Sequence, residues 1–475
     1  MLPIRGFLAG VCAFSLIGIL VVAPAHADDL ADLKAQIQLL NERIAHLEAT
    51  TAVPAPATSA TSATSATPAT PATPPTPANG LKSDLAGVVL NDVGGTKPDL
   101  VSIAQAPGWN LVHDGKTNIS LYGKVDVTLA TMNNEDAAGN RRTGSVVSWM
   151  SGNRWGIHGS RLIDKDSGTY VITTLESEFE SSTGNLATSN VLFNRDAWLG
   201  IESKTIGKLT IGRQNTLARD FIQTWGDAFG AAKVDTSEAG WSNNANIEQL
   251  IYYGGGSDGV RNDGSIVWKK AVGPWVGGAG YAFGFVQNGN GPATAAGQWA
   301  NGSSTAVALA YNAGAFNLNS TYTHYVVSNY AHNITTFGGN CQFGSLVLWK
   351  AGLAHAVVAQ PMVGYRTDNA FSTSLVFTPK GKMRFVLGYI DMDLTNAGYN
   401  SSGNTLLVTG DTSGVTSAAD GARKTYYGAA FYKFDYQVDA YVALDQVRLS
   451  GGYKLASTHG HDSQTEAGVG LRWSF

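Results

Sequence analysis

Residues 118–129 read Asn118-Ile-Ser-Leu-Tyr-Gly-Lys-Val-Asp-Val-Thr-Leu129, and this stretch decides the fold class. Its odd-numbered positions are mostly apolar, and its even-numbered positions are mostly polar. Because side chains of a β-strand alternate between two faces, one face of this segment favours lipid and the other favours water. The segment is also long enough for a tilted strand to cross a bilayer. It therefore predicts a membrane-crossing β-strand.

The same two-residue period continues from about residue 108 to the carboxyl terminus. The last stretch places Val469, Leu471, Trp473 and Phe475 on one face. Short turns are predicted at 114–115, 166–168, 273–274, 312–314 and 379–382, and long exposed loops at 286–303, 327–341 and 395–424. A β-sandwich is the alternative, but one alternating domain over 108–475 is too long for it. The expected fold is all-β, a transmembrane antiparallel β-barrel of about 16 strands.

Composition supports a membrane barrel and argues against other classes. The chain has 56 glycines, 18 tyrosines, 17 phenylalanines and 11 tryptophans, and charged residues make up 14% of it. After residue 27 no run of 18 apolar residues occurs, so the sequence predicts no membrane helix there. The acidic balance argues against nucleic acid as a partner, since a nucleic-acid binder would show a clustered basic excess.

The first 27 residues predict a secretory signal peptide. Arg5 supplies its positive charge, an apolar run follows, and Ala25-His-Ala27 fits the small-residue cleavage rule. A transmembrane anchor is the alternative, but the run is short. Cleavage removes Arg5 and leaves 31 basic and 36 acidic residues, a net charge of −5. Only Cys341 would remain, so no intrachain disulfide is expected.

Residues 28–49 predict a short α-helical coiled coil, and residues 50–107 a disordered linker and lead-in. Apolar residues recur at spacings of three and four, with Leu30, Ile37 and Ile44 at the a positions and Leu33, Leu40 and Leu47 at the d positions. A single amphipathic helix lying on a surface is the alternative. Residues 50–79 are almost wholly Ala, Thr, Ser and Pro, a composition that cannot bury a core.

Five motif blocks and the carboxyl terminus resemble the general diffusion porins of Gram-negative outer membranes. In order they are Leu121-Tyr-Gly-Lys-Val-Asp126, Asn153-Arg-Trp-Gly-Ile-His-Gly-Ser160, Leu175-Glu176, Phe193-Asn-Arg-Asp-Ala-Trp-Leu-Gly-Ile201, Leu209-Thr-Ile-Gly-Arg-Gln214 and finally Trp473-Ser-Phe475. They cover the first quarter of the predicted barrel and its last strand. The resemblance implies a water-filled channel for passive diffusion of small hydrophilic solutes and ions.

The resemblance also implies a charged constriction, in which the third external loop folds into the lumen. By this resemblance, the wall positions that face this loop are occupied by Arg154, Arg195 and Arg213. Strand alternation also predicts that Arg154 faces the lumen. For Arg195, alternation predicts that it shares the lumen face with Ala197 and that Trp198 lies on the outer face. For Arg213 alternation points to the outer face. The expected carboxylates of the inward loop are Asp220, Asp227, Asp235 and Glu238.

One departure from the family pattern weakens the expected basic side of the constriction. The family usually has another arginine just after the inward loop, where this chain has Ile251-Tyr-Tyr253. A strong preference for anions is therefore not expected from this sequence. His459 and His461 resemble metal ligands only by type, and we interpret them as loop residues, with no metal and no cofactor expected.

The resemblance further implies partners and a location. Phe475 resembles the terminal aromatic residue read by the barrel assembly machinery. A homotrimer in the outer membrane is implied, in contact with lipid and lipopolysaccharide, with the amino-terminal segment in the periplasm and peptidoglycan as a further candidate partner. The alternatives are a channel selective for small carboxylates and an envelope tether centred on the coiled coil. A barrel-embedded hydrolase would need a serine–histidine pair, and no such pair can be placed.

Overall fold

The computed structural model describes residues 108–146, 150, 152–222, 261–286, 300–327, 329–399, 415–455 and 460–475. The chain divides into units at 1–76 and 77–475, and all of these residues belong to the second unit. The expected signal peptide, coiled coil and linker lie outside the described residues. So do Asp227, Asp235, Glu238 and His459.

Almost all of the described chain is β-strand. The strands are β1 (Trp109–His113), β2 (Thr117–Met132), β3 (Arg142–Val146), β4 (Arg154–Asp164), β5 (Thr169–Glu178), β6 (Asp196–Ser203), β7 (Gly207–Asn215), β8 (Arg261–Val272), β9 (Trp275–Ala282), β10 (Ser304–Ala313), β11 (Phe316–Val327), β12 (Tyr330–Phe343), β13 (Val347–Gln360), β14 (Gly364–Phe377), β15 (Met383–Tyr399), β16 (Ser417–Lys433), β17 (Val438–Ser450) and β18 (Ser463–Ser474). Two short helices are described, α1 (Leu217–Ile222) after β7 and α2 (Gly451–Leu455) after β17. In this part of the chain, neither helix has the length and apolar character needed to cross a membrane.

The strands form one antiparallel sheet that closes on itself. Strands that follow one another in the chain pair with each other, except that β3 and β4 both pair with β2, and β18 pairs with β2 to close the ring. Along one edge of β2 the partners are β3 and β4, and along the other edge they are β18 and β1. Counting each of these two pairs as one position turns 18 segments into 16 strands. The expected antiparallel barrel of about 16 strands is therefore confirmed.

The two faces of the barrel differ in polarity as the alternation predicts. Leu129 and Leu199 are each 59% exposed on the outer face, whereas their neighbours Thr128 and Trp198 are buried on the inner face. Apolar side chains such as these lie on the outside of the ring in nearly every strand. Charged side chains such as Lys350 and Asp368 face the lumen. An apolar exterior around a polar interior is the arrangement of a barrel that crosses a bilayer.

The carboxyl terminus meets strands β1 and β2 at the rim that carries the short turns. The backbone N–H of Phe475 donates to the carbonyl of Gly123 at 3.0 Å, and the N–H of Gly123 donates to the carbonyl of Phe475 at 2.9 Å. The Phe475 ring stacks on Trp109 with centroids 4.8 Å apart and lies 4.9 Å from the Trp473 ring. A Cβ at Gly123 would collide with the Phe475 ring, so glycine is required there. The last residue therefore completes the seam between β18, β1 and β2.

The expected loop at 327–341 is wrong, because most of it is strand β12. Strand β11 ends at Val327 and β12 begins at Tyr330, so a tight turn joins them, with Asn329 at a positive φ of 68°. The stretch is rich in polar residues because side chains such as those of His332 and Thr336 face the polar lumen. The expected loop at 395–424 is too long at both ends, because 395–399 belong to β15 and 417–424 belong to β16.

We predict that removal of Phe475 lowers the yield of folded barrel. The deletion removes two backbone hydrogen bonds at the seam, together worth about 1–3 kcal/mol, and two aromatic contacts. The measurement is the folded fraction, resolved from unfolded chain by gel mobility before and after heating. The variant Phe475→Tyr keeps the ring and the backbone and is expected to fold normally. Equal yields of the deletion and the wild type would contradict the role of the seam.

Candidate functional site

Antiparallel topology brings three arginines together on one part of the lumen wall. Arg154 begins β4, Arg261 begins β8, and Arg195 immediately precedes β6. These three strands all run from the long-loop rim towards the short-turn rim, so their first residues lie at the same end of the barrel. Strand β5 runs the other way and brings Glu176 to that end. Arginine and carboxylate side chains from these strands therefore lie at the same level of the barrel wall.

Glu176 is the centre of this cluster. Its carboxylate accepts a hydrogen bond from Nε of Arg195 and lies 3.8 Å from Nε of Arg154 and 3.9 Å from Nη2 of Arg261. The hydroxyl of Tyr122 donates to Oε2 of Glu176 at 2.8 Å. One carboxylate thus contacts side chains from three strands and from the residue that precedes β6.

Two further carboxylates complete the cluster. Nη1 of Arg195 lies 2.5 Å from Oε2 of Glu178, and Nε of Arg261 lies 3.3 Å from Oδ1 of Asp196. Three arginines therefore face three carboxylates, and their formal charges cancel. Removal of one member of such a buried set leaves an uncompensated charge, at a cost of about 3–5 kcal/mol. The cluster is a fixed pattern of opposite charges rather than a block of positive charge.

Arg261 lies on the wall where the sequence predicts a weaker basic side of the constriction. The sequence has Ile251-Tyr-Tyr253 where the family pattern leads us to expect an arginine, but Arg261 supplies a third guanidinium from the start of β8. The sequence gives one indication of a lumen-wall position for Arg261, because this residue begins an alternating stretch just as Arg154 begins β4. Its contact with Glu176 joins residues far apart in the chain, so no local pattern could show it.

Arg213 lies in a separate group of contacts. Its Nη1 lies 2.6 Å from Oδ1 of Asp263, and its Nε donates to the carbonyl of Asn194 at 2.7 Å. The pairing of β7 with β8 shifts register between Gly212 and Gln214, which interrupts simple alternation at this point. Arg213 therefore braces the backbone just before Arg195.

The expected orientation of Trp198 is wrong. Trp198 is 7% exposed, packs against Ile172 and lies under Nζ of Lys208, which is 4.9 Å from the ring centroid. It faces the lumen, and Ala197 takes the outer face. The prediction failed because it counted alternation from Arg195, which lies outside the strand and shares the inner side with Asp196. Arg195 itself is on the lumen wall, where it binds Glu176.

Helix α1 turns the chain into the barrel directly after β7. Its residues Leu217 and Phe221 pack against lumen-facing side chains of β8, β9 and β10. Asp220 is buried in this helix, and its Oδ2 lies 2.5 Å from Nζ of Lys269. Nδ2 of Asn215 donates to Oδ1 of Asp220 at 3.0 Å. Among the carboxylates expected in the inward loop, Asp220 is thus described and is paired with a wall lysine.

Small residues on the lumen wall make room for α1. The wall under the helix includes Ala306, Ala308 and Ala310, and a Cβ at Gly278 would lie 2.7 Å from Cδ1 of Leu217. Larger side chains at these positions would push the helix away from the wall. The sequence of β9 and β10 therefore permits the close approach of α1.

Comparison with known proteins identifies the family. A family model described as Gram-negative porin matches residues 100–452 of this chain. The chain belongs to the Gram-negative porin family. Its described strands form the β-barrel reported above, and the lumen is the interior of that barrel.

A relative and two solved structures show the same likeness. An outer membrane porin protein of Bordetella pertussis is 28% identical over 172 residues, covering 33% of this chain and 44% of that protein. This match spans less than half of the relative. The anion-selective porin of Comamonas acidovorans has a TM-score of 0.58 at 20% identity and covers 76% of this chain and 100% of its own. OmpT of Vibrio cholerae has a TM-score of 0.52 at 15% identity, covering 77% and 99%.

We predict that Gly278→Leu lowers the single-channel conductance of the porin. The added side chain would overlap Leu217 and push α1 off the wall towards the centre of the lumen, which narrows the path for ions. The matched control is Gly277→Leu, since a Cβ at Gly277 meets nothing within 4 Å. Conductance is measured in planar bilayers. If the two variants conduct alike, α1 does not narrow the channel.

Proposed function

We propose that this porin is a passive diffusion channel for small hydrophilic solutes and ions, with a charged constriction between the arginine–carboxylate cluster and the chain that follows β7. Support comes from the family match and from the polar lumen face. Charged groups in a narrow, partly desolvated opening act more strongly than in bulk water, because the low dielectric of the wall focuses their field.

The observation that carries the proposal is the convergence of Arg154, Arg195 and Arg261 on Glu176. These side chains come from separate parts of the wall, at or just before the starts of β4, β6 and β8, and are fixed by ion pairs. Helix α1 provides the other part of the argument, since it leads the chain after β7 into the lumen. We infer that the following residues, which include Asp227, Asp235 and Glu238, form the acidic edge of the constriction.

The alternative of a carboxylate-selective channel gains some support from the fold neighbours. The Comamonas structure is described as an anion-selective porin. In this chain, however, the charges of the wall cluster cancel, so the cluster alone does not favour anions. We therefore place general diffusion first. The alternatives of an envelope tether or of peptidoglycan binding rest on residues 28–79 and stay predictions from the sequence.

We predict opposite shifts in ion selectivity from opposite charge changes in the cluster. Arg154→Gln combined with Arg195→Gln removes two positive charges and should shift the reversal potential in a salt gradient towards cation preference. Glu176→Gln removes one negative charge and should shift it towards anions. The measurement is the reversal potential of the porin in planar bilayers.

Two controls separate the pore role from folding. Arg161→Gln removes an arginine from β4 that is exposed near the short-turn rim and should leave the reversal potential unchanged. Arg154→Lys with Arg195→Lys keeps the charges and should stay close to the wild type. Unchanged reversal potentials in both the double glutamine variant and Glu176→Gln would contradict the constriction.

We also infer the cellular setting. Residues 1–27 would direct export, residues 28–107 would lie in the periplasm, and Phe475 would be read by the barrel assembly machinery. The outer face of the barrel would contact lipid and lipopolysaccharide. A homotrimer fits the Vibrio OmpT structure described as a trimer form, which has a TM-score of 0.51 to this chain.

We predict that deletion of residues 28–79 leaves the trimer intact. The a and d positions of the coil favour two strands, yet three barrels bury far more surface than three heptads can. Barrels held together also raise the effective concentration of the coil segments, which overrides a weak preference. Native mass measurement of the truncated porin should show a trimer. A monomer would make the coil the trimerising element.

A further inference from the structure

Arg384 lies on the lumen wall near the short-turn rim, away from the Glu176 cluster. It is the second residue of β15 and faces Phe431 directly across the β15–β16 ladder. Its guanidinium carbon is 4.3 Å from the centroid of the Phe431 ring, and the side chain is almost fully buried, with the residue 3% exposed. Nε and Nη2 of Arg384 are buried without a hydrogen-bond partner. A buried guanidinium stays charged, and burying its donors without an acceptor costs free energy. Binding of an acceptor would remove that cost.

The groups around Arg384 leave an excess of positive charge. Nη2 of Arg472 lies 2.9 Å from Oδ2 of Asp439, and the guanidinium carbon of Arg472 is 5.7 Å from the Phe431 ring. Lys433 stands opposite Asp439 in the β16–β17 register. Lys124 and Asp126 also lie beside Arg472, which stands opposite Asp126 in the β18–β2 register, so four cations share two carboxylates here. This arrangement differs from the Glu176 cluster, where arginines and carboxylates are equal in number.

Small apolar side chains line the wall immediately beside Phe431, towards the long-loop rim. Val386, Ala429, Ala443 and Gly468 face one another in sequence across four strands, two residues further along each strand. Val386, Ala429 and Ala443 are 2%, 8% and 0% exposed, so neighbouring side chains cover this row. A flat apolar group that displaces them would pack against the row beside the Phe431 ring and direct a carboxylate to the donors of Arg384.

We propose that Arg384 and Phe431 form a binding site in the lumen for carboxylates that carry a flat apolar body, the class of aromatic monocarboxylates. The planar guanidinium presents paired donors that match the two oxygens of a carboxylate, and the ring and the small-residue row take the apolar part. The site deepens the proposed function and rests on it, since the solute must reach Arg384 through the channel.

The test uses the full-length porin in planar bilayers with a potassium chloride background. Potassium benzoate is the probe, and potassium acetate is the matched carboxylate without a flat body. Benzoate should block the chloride-carried current at lower concentration than acetate. In Arg384→Met the concentration of benzoate for half block should rise on the order of tenfold to a hundredfold, because a charge-assisted hydrogen-bond pair is lost.

Further variants assign the two halves of the site. Phe431→Leu keeps the charge and should weaken block by benzoate while leaving acetate unaffected; it also serves as the test if Arg384→Met does not fold. Arg384→Lys should restore part of the block. Lys382→Met removes an exposed cation in the adjacent turn, next to the Tyr432 ring, and should change nothing.

Failure of the site and failure of the channel give different results. A conducting porin that benzoate and acetate block equally, or whose block is the same in Arg384→Met and in the wild type, overturns the site and leaves the channel standing. Folded porin that passes no current overturns the proposed function itself.

Discussion

Inside a bilayer each backbone N–H and C=O must find its partner within the protein, because lipid offers none. In this porin that requirement is met at β2, which pairs along one edge with β3 and β4 and along the other with β18 and β1. The reciprocal hydrogen bonds between Gly123 and Phe475 fill the place where β18 stops. Without this seam the sheet would have two open edges, and no lumen would exist to hold the sites described above.

Closure of the ring also determines on which face of the sheet charged side chains lie. Once the sheet is closed, alternate residues of every strand must face either lipid or the lumen, so the charged residues of the strands collect inside. Because alternate strands run in the same direction, residues at their starts meet at one rim. Arg154 and Arg261 belong to different hairpins, yet both reach Glu176 for this reason. The cluster is therefore a product of topology rather than of any local sequence motif.

The barrel could be predicted because alternation is a local property, visible in residues 118–129 alone. Arg154 was placed on the correct face for the same reason. Trp198 was placed wrongly because alternation was counted from Arg195, which lies outside β6. The sequence of 327–341 resembles a loop because a solvent-exposed loop and a lumen-facing strand both carry polar side chains. The sequence does not reveal the role of Arg261, because its link to Glu176 exists only once the sheet brings β5 and β8 to the same level of the wall, with β6 and β7 between them.

The two arginine groups of the lumen differ in how their charge is balanced, and this difference has a physical consequence. At the Glu176 cluster each guanidinium has a carboxylate within 4 Å, so these groups are held rigidly and their net charge is zero. At Arg384 two buried nitrogens have no hydrogen-bond acceptor, and cations outnumber carboxylates. On the proposed path a solute would pass a neutral, fixed pattern of charges before it meets a positive group with unmet donors. The Glu176 cluster would then select solutes by size and dipole, and Arg384 would bind those with negative charge. Because the two sites are separate, substitutions could change either selection without changing the other.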